Sequence, residues 1–217
     1  MTTQPVIRVI GGGLAGSEAA WQIARFGLHV DLYEMRPGRK TPAHVSDNLA
    51  ELVCSNSLKS NDRFHAPGLL KEEMRILGSL ILQAADQNSV PAGMSLAVDR
   101  ETFARQVTES VEQHPYICLR REEVPRIPED GINIIATGPL TSDSLAESIR
   151  QFTCSPYLYY YDAISPIIEA ESLDRSIIFA ASRYDKGEAD YLNCPMNREE
   201  YDRFFDALVS AEVHPLK

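Results

Sequence analysis

The chain has 217 residues, 44% of them hydrophobic and 24% charged, and a net charge of −10. That composition belongs to an ordinary globular protein, with length for one large domain or two small ones, and it excludes a disordered chain. The longest apolar stretches fall well short of the ~18 residues a membrane span needs, and no signal-peptide pattern precedes the first core strand, so a cytoplasmic protein without membrane attachment is expected.

In chain order, the first element is an apolar run, Val6 to Ile10, which stops at Gly11-Gly12-Gly13-Leu14-Ala15-Gly16. A helical pattern opens directly behind it, and a second apolar run, Val30 to Tyr33, ends at Glu34. Strand, glycine turn, helix, strand and terminal acid together form a dinucleotide-binding fingerprint. Gly11 permits the tight turn, Gly13 lets backbone N–H groups approach a pyrophosphate, and Gly16 allows the helix to pack on the strand. Leu14 and Ala15 open the helix whose N-terminus faces the phosphates. Glu34 stands where a carboxylate accepts hydrogen bonds from an adenosine ribose; with no arginine in that role, FAD or NAD is expected over NADP.

A long loop follows, roughly Arg36 to Pro67, rich in Asn, Ser, Pro and Arg; loops of that length inside compact domains are usually functional. An amphipathic helix is predicted over about Leu69 to Ala85, a strand over Met94 to Val98, a helix over Arg100 to Gln113 and a strand over Tyr116 to Leu119. Val124 to Ile127 extends the β character, and Ile132 to Ala136 reads as a buried parallel strand. It ends in Ala136-Thr137-Gly138, whose small residues, Thr137 and Gly138 among them, let the backbone lie against a cofactor. Ser142 to Phe152 reads as a short helix. From Tyr157 the composition shifts: Leu158 to Tyr161 and Ile177 to Ala180 read as strands of another sheet, and Arg198 to Ala211 as a final helix. The expected fold is α/β, a Rossmann-like FAD-binding domain with a parallel sheet over residues 1–153, followed over 154–217 by the incomplete start of a smaller inserted α+β domain on the substrate side.

Charge is unevenly spread. Residues 36–75 hold seven bases and five acids, whereas 143–217 hold seven bases and fourteen acids. Four cysteines, Cys54, Cys118, Cys154 and Cys194, show no CxxC pair and no matching histidine spacing, so neither a zinc site nor a disulfide framework is indicated. Cys118, inside an apolar strand, and Cys154, just after a helix, read as core or surface fillers, whereas Cys54 sits in a polar loop with Lys59 and Arg63 nearby, where a thiolate is stabilised. His44 is suited to a cofactor or phosphate contact or to a turn. The Tyr159 to Tyr161 run is suited to ring contacts or to a core.

Several peptides carry a more specific resemblance. LYEMRPGRKTPAH (32–44), AELVCSNSLKS (50–60), KEEMR (71–75), AVDRETFA (97–104), NIIATGPLTSDSL (133–145), YYYDAISPI (159–167) and SRYDKGEADYLNCPMNREEY (182–201) closely resemble the folate- and FAD-dependent tRNA uracil-5-methyltransferases, the TrmFO or Gid family. The resemblance implies methylation of the T-loop uridine of tRNA at C5, with methylenetetrahydrofolate as carbon donor, FAD as source of reducing electrons, and NADH or NADPH regenerating the flavin. It also implies two working cysteines, of which Cys54 matches the first as a catalytic residue. The second, in a CLPIE-like peptide, has no match here, and family members run to roughly twice this length, so the chain is expected to be the N-terminal half. Two other functions remain open at this point: a non-catalytic flavin-binding module, and an MnmG-like uridine modifier or generic flavin oxidoreductase, which the CSNS peptide disfavours. The tRNA T-arm and folate are the expected partners, with the oligomeric state left open.

Overall fold

The computed structural model describes residues 5–155, 168–182 and 188–212. They fall into two compact units, Met1–Val90 with Ser95–Ser165, and Pro91–Met94 with Pro166–Lys217. The first unit runs β1 (Ile7–Ile10), α1 (Leu14–Arg25), β2 (Val30–Tyr33), β3 (Ser57–Ser60), α2 (Ala66–Ile76), α3 (Leu80–Gln87), β4 (Ser89–Val90), β5 (Ser95–Val98), α4 (Arg100–Glu112), β6 (Ile117–Arg120), β7 (Ile132–Ile135) and α5 (Asp143–Thr153).

Its main sheet is parallel, in the order β6-β2-β1-β7. Val9 pairs with Leu32 on one side and Ile134 on the other, and both Val9 and Leu32 are fully buried. Because the chain leaves β1 toward β2 on one side and β7 lies on the other, a crevice opens beyond the carboxyl end of β1, the switch point where α/β sheets bind ligands. Helix α1 packs closely because its inner face is Ala20 and Ala24, while α4 contributes Phe103, Val107 and Val111 at helical spacing, all fully buried. A smaller antiparallel sheet, β3-β5-β4, joins the same core through Leu96 and Val98.

Four expectations are corrected. The single helix over 69–85 is two, because Gly78 adopts φ +69 and Ser79 restarts the chain as the N-cap of α3, accepting from Leu82 N at 3.2 Å. Val124 to Ile127 is not a strand: Pro125 offers no N–H to a ladder, and Val124 and Ile127 instead pack on Ile10, Leu145 and Ile149. The long loop contains β3, whose polar sequence, SLKS, hides it from hydrophobic periodicity. Finally β7 is parallel but lies at the edge of the described sheet, leaving Ile132 50% exposed.

In the second unit β8 (Phe179–Ala181) and β9 (Tyr191–Asn193) form an antiparallel pair, followed by α6 (Arg198–Val209). A full capping box starts α6, with Asn197 and Glu200 each bonding the other's backbone N–H. The expected strand over Leu158 to Tyr161 lies outside the described residues.

Candidate functional site

The glycine loop between β1 and α1 is shaped by close backbone approach. Gly11 adopts φ +106, and a Cβ there would lie 2.7 Å from Ala136 O; at Gly16 a Cβ would meet Gly11 O at 1.7 Å. Side chains are therefore barred at both positions. Gly13 differs, since nothing lies within 4 Å of where its Cβ would point. Its open side faces the crevice. Gly13 is also the N-cap of α1 without a capping side chain, and Ser17 N to Gly13 O begins the helical ladder. The amides of Leu14, Ala15 and Gly16 are left without a protein acceptor among the described residues, so the positive end of α1 is available to an anion.

Beneath the loop lies a buried ionic network. Arg36, only 1% exposed, directs Nε and Nη2 to the two oxygens of Glu34 at 3.0 and 3.2 Å, and Nη1 to Glu51 Oε2 at 2.9 Å and Ser46 O at 3.2 Å. Glu34 also accepts from Gly12 N at 3.1 Å and Arg36 N at 3.0 Å. Burial opposes the charge on Glu34, but the Arg36 side chain and backbone, with Gly12 N, outweigh it and hold the carboxyl below its ordinary range. Glu34 is thus ionised, with its four in-plane acceptor sites taken; a ribose hydroxyl would replace one of the longer contacts. Glu51 completes the network by accepting from Val45 N at 2.9 Å and Ser46 Oγ at 2.9 Å, which folds the 36–51 loop into a wall.

Two residues finish that wall. His44 Nδ1 is 2.6 Å from Thr41 Oγ1, and burial together with the nearby Arg36 charge pushes the imidazole pKa down, favouring the neutral ring. Ala50 N then donates to Gly12 O at 2.9 Å and Leu49 N to Thr108 Oγ1 at 2.8 Å, which returns the chain to the underside of the glycine loop.

The crevice brings together Gly11, Gly12, Gly13, Glu34 and Thr137 from the expected set, with Arg36 and His44 added. Thr137 Oγ1 is 2.6 Å from Thr141 Oγ1, and Gly138 turns the chain at φ +62, so the opposite wall is a tight turn. Leu14 packs into the core and Gly16 against Gly11, so both shape the loop without lining the crevice; Ala15 is exposed, and Gly138 serves the turn. Cys54 does not line it either. It is exposed, four residues beyond Ala50, which caps its separation from that docking point at about 14 Å. No hydrogen bond or ion pair joins it to Lys59 or Arg63 among the described residues. Of the two roles open to Cys118, core or surface, the surface one holds: it is exposed, because β6 is an edge strand whose alternate residues leave the packed face. Arg36 and Glu51 escaped the sequence reading; the only signal was an arginine two residues after the strand-terminal acid.

Comparison with known proteins accords with this architecture. The family model described as "Glucose inhibited division protein A" matches residues 6–217. The methylenetetrahydrofolate–tRNA-(uracil-5-)-methyltransferase TrmFO of Lysinibacillus sphaericus is 62% identical over 215 residues, 99% of this chain and 49% of that protein. Its namesake in Bacillus licheniformis is 61% identical over 97% of this chain and 48% of its own length. The chain thus spans about half the length of the curated relatives it matches. The solved structure of Aquifex aeolicus GidA in its form I crystal shares the fold, with a TM-score of 0.54 and 18% identity over 69% of this chain and 31% of that one. With the family model running from β1 through both units, this chain belongs to the glucose inhibited division protein A family.

Proposed function

We propose that this chain belongs to a flavoenzyme that methylates uridine C5 in the T-loop of tRNA, taking the carbon from methylenetetrahydrofolate and the reducing electrons, through FAD, from NADH or NADPH. In this reading residues 1–153 hold the cofactor and the segment from 154 begins a substrate-side domain. The observation that carries it is the glycine loop: three amides at the start of α1 without a protein acceptor among the described residues and an open face at Gly13 converge on a crevice containing the ionised Glu34. That donor set fits a dinucleotide, whose pyrophosphate would take the amides and whose ribose would address Glu34. The names of the relatives support the choice of reaction.

Bound there, FAD supplies the hydride chemistry that this protein's side chains cannot. The chain's own residues bind and orient. Arg36 keeps Glu34 charged and aimed, His44 adds a neutral ring to the wall, and the 36–51 loop excludes water from the network below. Cys54 is exposed within a short reach of the glycine loop, which suits a thiol that acts as acid/base or as covalent partner during methylene transfer. A non-catalytic flavin-binding module would have the same crevice and no use for that thiol.

Labelled methyl transfer from methylenetetrahydrofolate to tRNA, measured for this chain extended through the second half that its relatives carry and for the Cys54→Ser variant of that extended protein, separates the two. We expect transfer to fall by at least about 100-fold in the variant with flavin content unchanged. Equal rates in both proteins would remove Cys54 from the chemistry, and no transfer by the parent would favour the binding module.

A further inference from the structure

Between Cys54 and α2 the chain builds a rigid projection that the crevice does not use. The β3–β5 pairing carries a register irregularity between Ser57 and Ser60, where Lys59 adopts φ +70 and its side chain stands exposed. The loop that follows is fixed from several sides. Asp62 accepts from Phe64 N at 3.0 Å and lies 3.0 Å from His65 Nδ1; Arg75 Nη2 donates to Asn61 Oδ1 at 2.9 Å. Lys71, 6% exposed, spends its ammonium on Ser60 O at 2.9 Å and Pro67 O at 3.1 Å. A Cβ on Gly68 would lie 1.9 Å from Asp62 O, so α2 meets the loop backbone to backbone.

All this fixing presents a tip of Arg63, Phe64 and His65, each exposed. Phe64 is 82% exposed, and the Arg63 guanidinium sits 5.0 Å from its ring centroid. Neither Arg63 nor Lys59 has an acidic partner among the described residues. An exposed aromatic ring with a guanidinium against it, and an exposed lysine a few residues away along the chain, is a combination that receives single-stranded nucleic acid: the ring takes a base and the cations take phosphates. A purely apolar protein partner would not call for the two free charges.

We propose that this tip is an RNA contact, in which Phe64 stacks on an unpaired base of the tRNA while Arg63 and Lys59 meet the phosphate backbone. The inference rests on the reading of this protein as a tRNA-modifying enzyme and deepens it. Strand β3, about 10 Å long, lies between Cys54 and the tip along the chain, so an RNA that reaches both would cover more than one nucleotide.

The test is fluorescence anisotropy of an end-labelled T-arm RNA hairpin with a parent protein, this chain extended through the second half that its relatives carry, and its Phe64→Ala, Phe64→Tyr and Arg63→Ala variants, with thermal melting of each and methyl transfer by the parent scored in parallel. We expect Phe64→Ala to weaken binding about tenfold and Phe64→Tyr, which keeps the ring, to stay within about twofold, with melting unchanged in both. Arg63→Ala should weaken binding and lower its salt dependence. Equal affinity of parent and Phe64→Ala overturns the stacking role while parent methyl transfer leaves the proposed activity standing; absence of both hairpin binding and methyl transfer in the parent overturns both. Unchanged RNA affinity with a dimer-to-monomer change in Phe64→Ala would make the tip a protein contact and the proposal wrong.

Discussion

At the residue scale the site depends on one arginine. Arg36 is the largest fully buried side chain in the described residues and stands between two carboxylates, Glu34 and Glu51. A buried charge network of this kind is a weak source of net stability, but removing one partner is costly because the others remain charged and unpaired. Arg36→Met is therefore expected to destabilise the protein by about 3–5 kcal/mol in urea unfolding. Arg36→Lys should recover only part of this, since an ammonium cannot form the two-pronged contact with Glu34. A loss under about 1 kcal/mol in Arg36→Met would mean that the network is solvated and holds nothing in place. From the sequence, Glu34 was legible as the acid closing the fingerprint; its saturation by Arg36 was not, because the residue that fills its acceptor sites is buried by a loop with no regular pattern.

Among elements, the parallel strands and α1 were legible because apolar runs and glycine spacing encode them directly. The second helix of the unit was legible as helical and misread as continuous: the apolar period runs through Ile76 and Leu80, but Gly78 and Ser79 break the backbone there. Ser79 does two things at this break. Its Oγ accepts from Leu82 N and donates to Glu18 Oε2 at 2.8 Å, while Glu18 also receives Ile81 N at 3.0 Å, which ties α3 to α1. Ser79→Ala should cost about 1–2 kcal/mol. Ser142→Ala, at the cap of α5 where the bond to Leu145 N is 3.5 Å, should cost less; denaturant midpoints for the two variants check the order. If Ser142→Ala proves the more damaging, cap geometry does not govern these helices. Strand β3 escaped detection because pairing with β5, a contact remote in sequence, makes it a strand, and its side chains do not advertise it.

For the whole molecule, the division of labour follows from where the first unit places its loops. The glycine turn, the 36–51 wall and the Thr137 turn all converge beyond the carboxyl end of β1, where two neighbouring strands diverge. Cys54 and the Arg63–Phe64 tip lie further along the same excursion of chain, on the way out of that wall. Family membership was legible in short peptides such as EMRPGRK and CSNSLKS, whose meaning in space is the wall and the approach to β3. No helix among the described residues is long and apolar enough to cross a membrane.

The central claim is that the open face at Gly13 receives the pyrophosphate of FAD, and flavin binding by the protein and its Gly13→Leu variant tests it most directly. Because nothing among the described residues lies within 4 Å of the added Cβ, the substitution should leave folding intact and fill only the ligand's space. Flavin affinity is predicted to fall by at least about 100-fold, the loss of roughly 2.7 kcal/mol of binding, with an unchanged melting temperature. Equal flavin affinity in the two proteins would contradict the account.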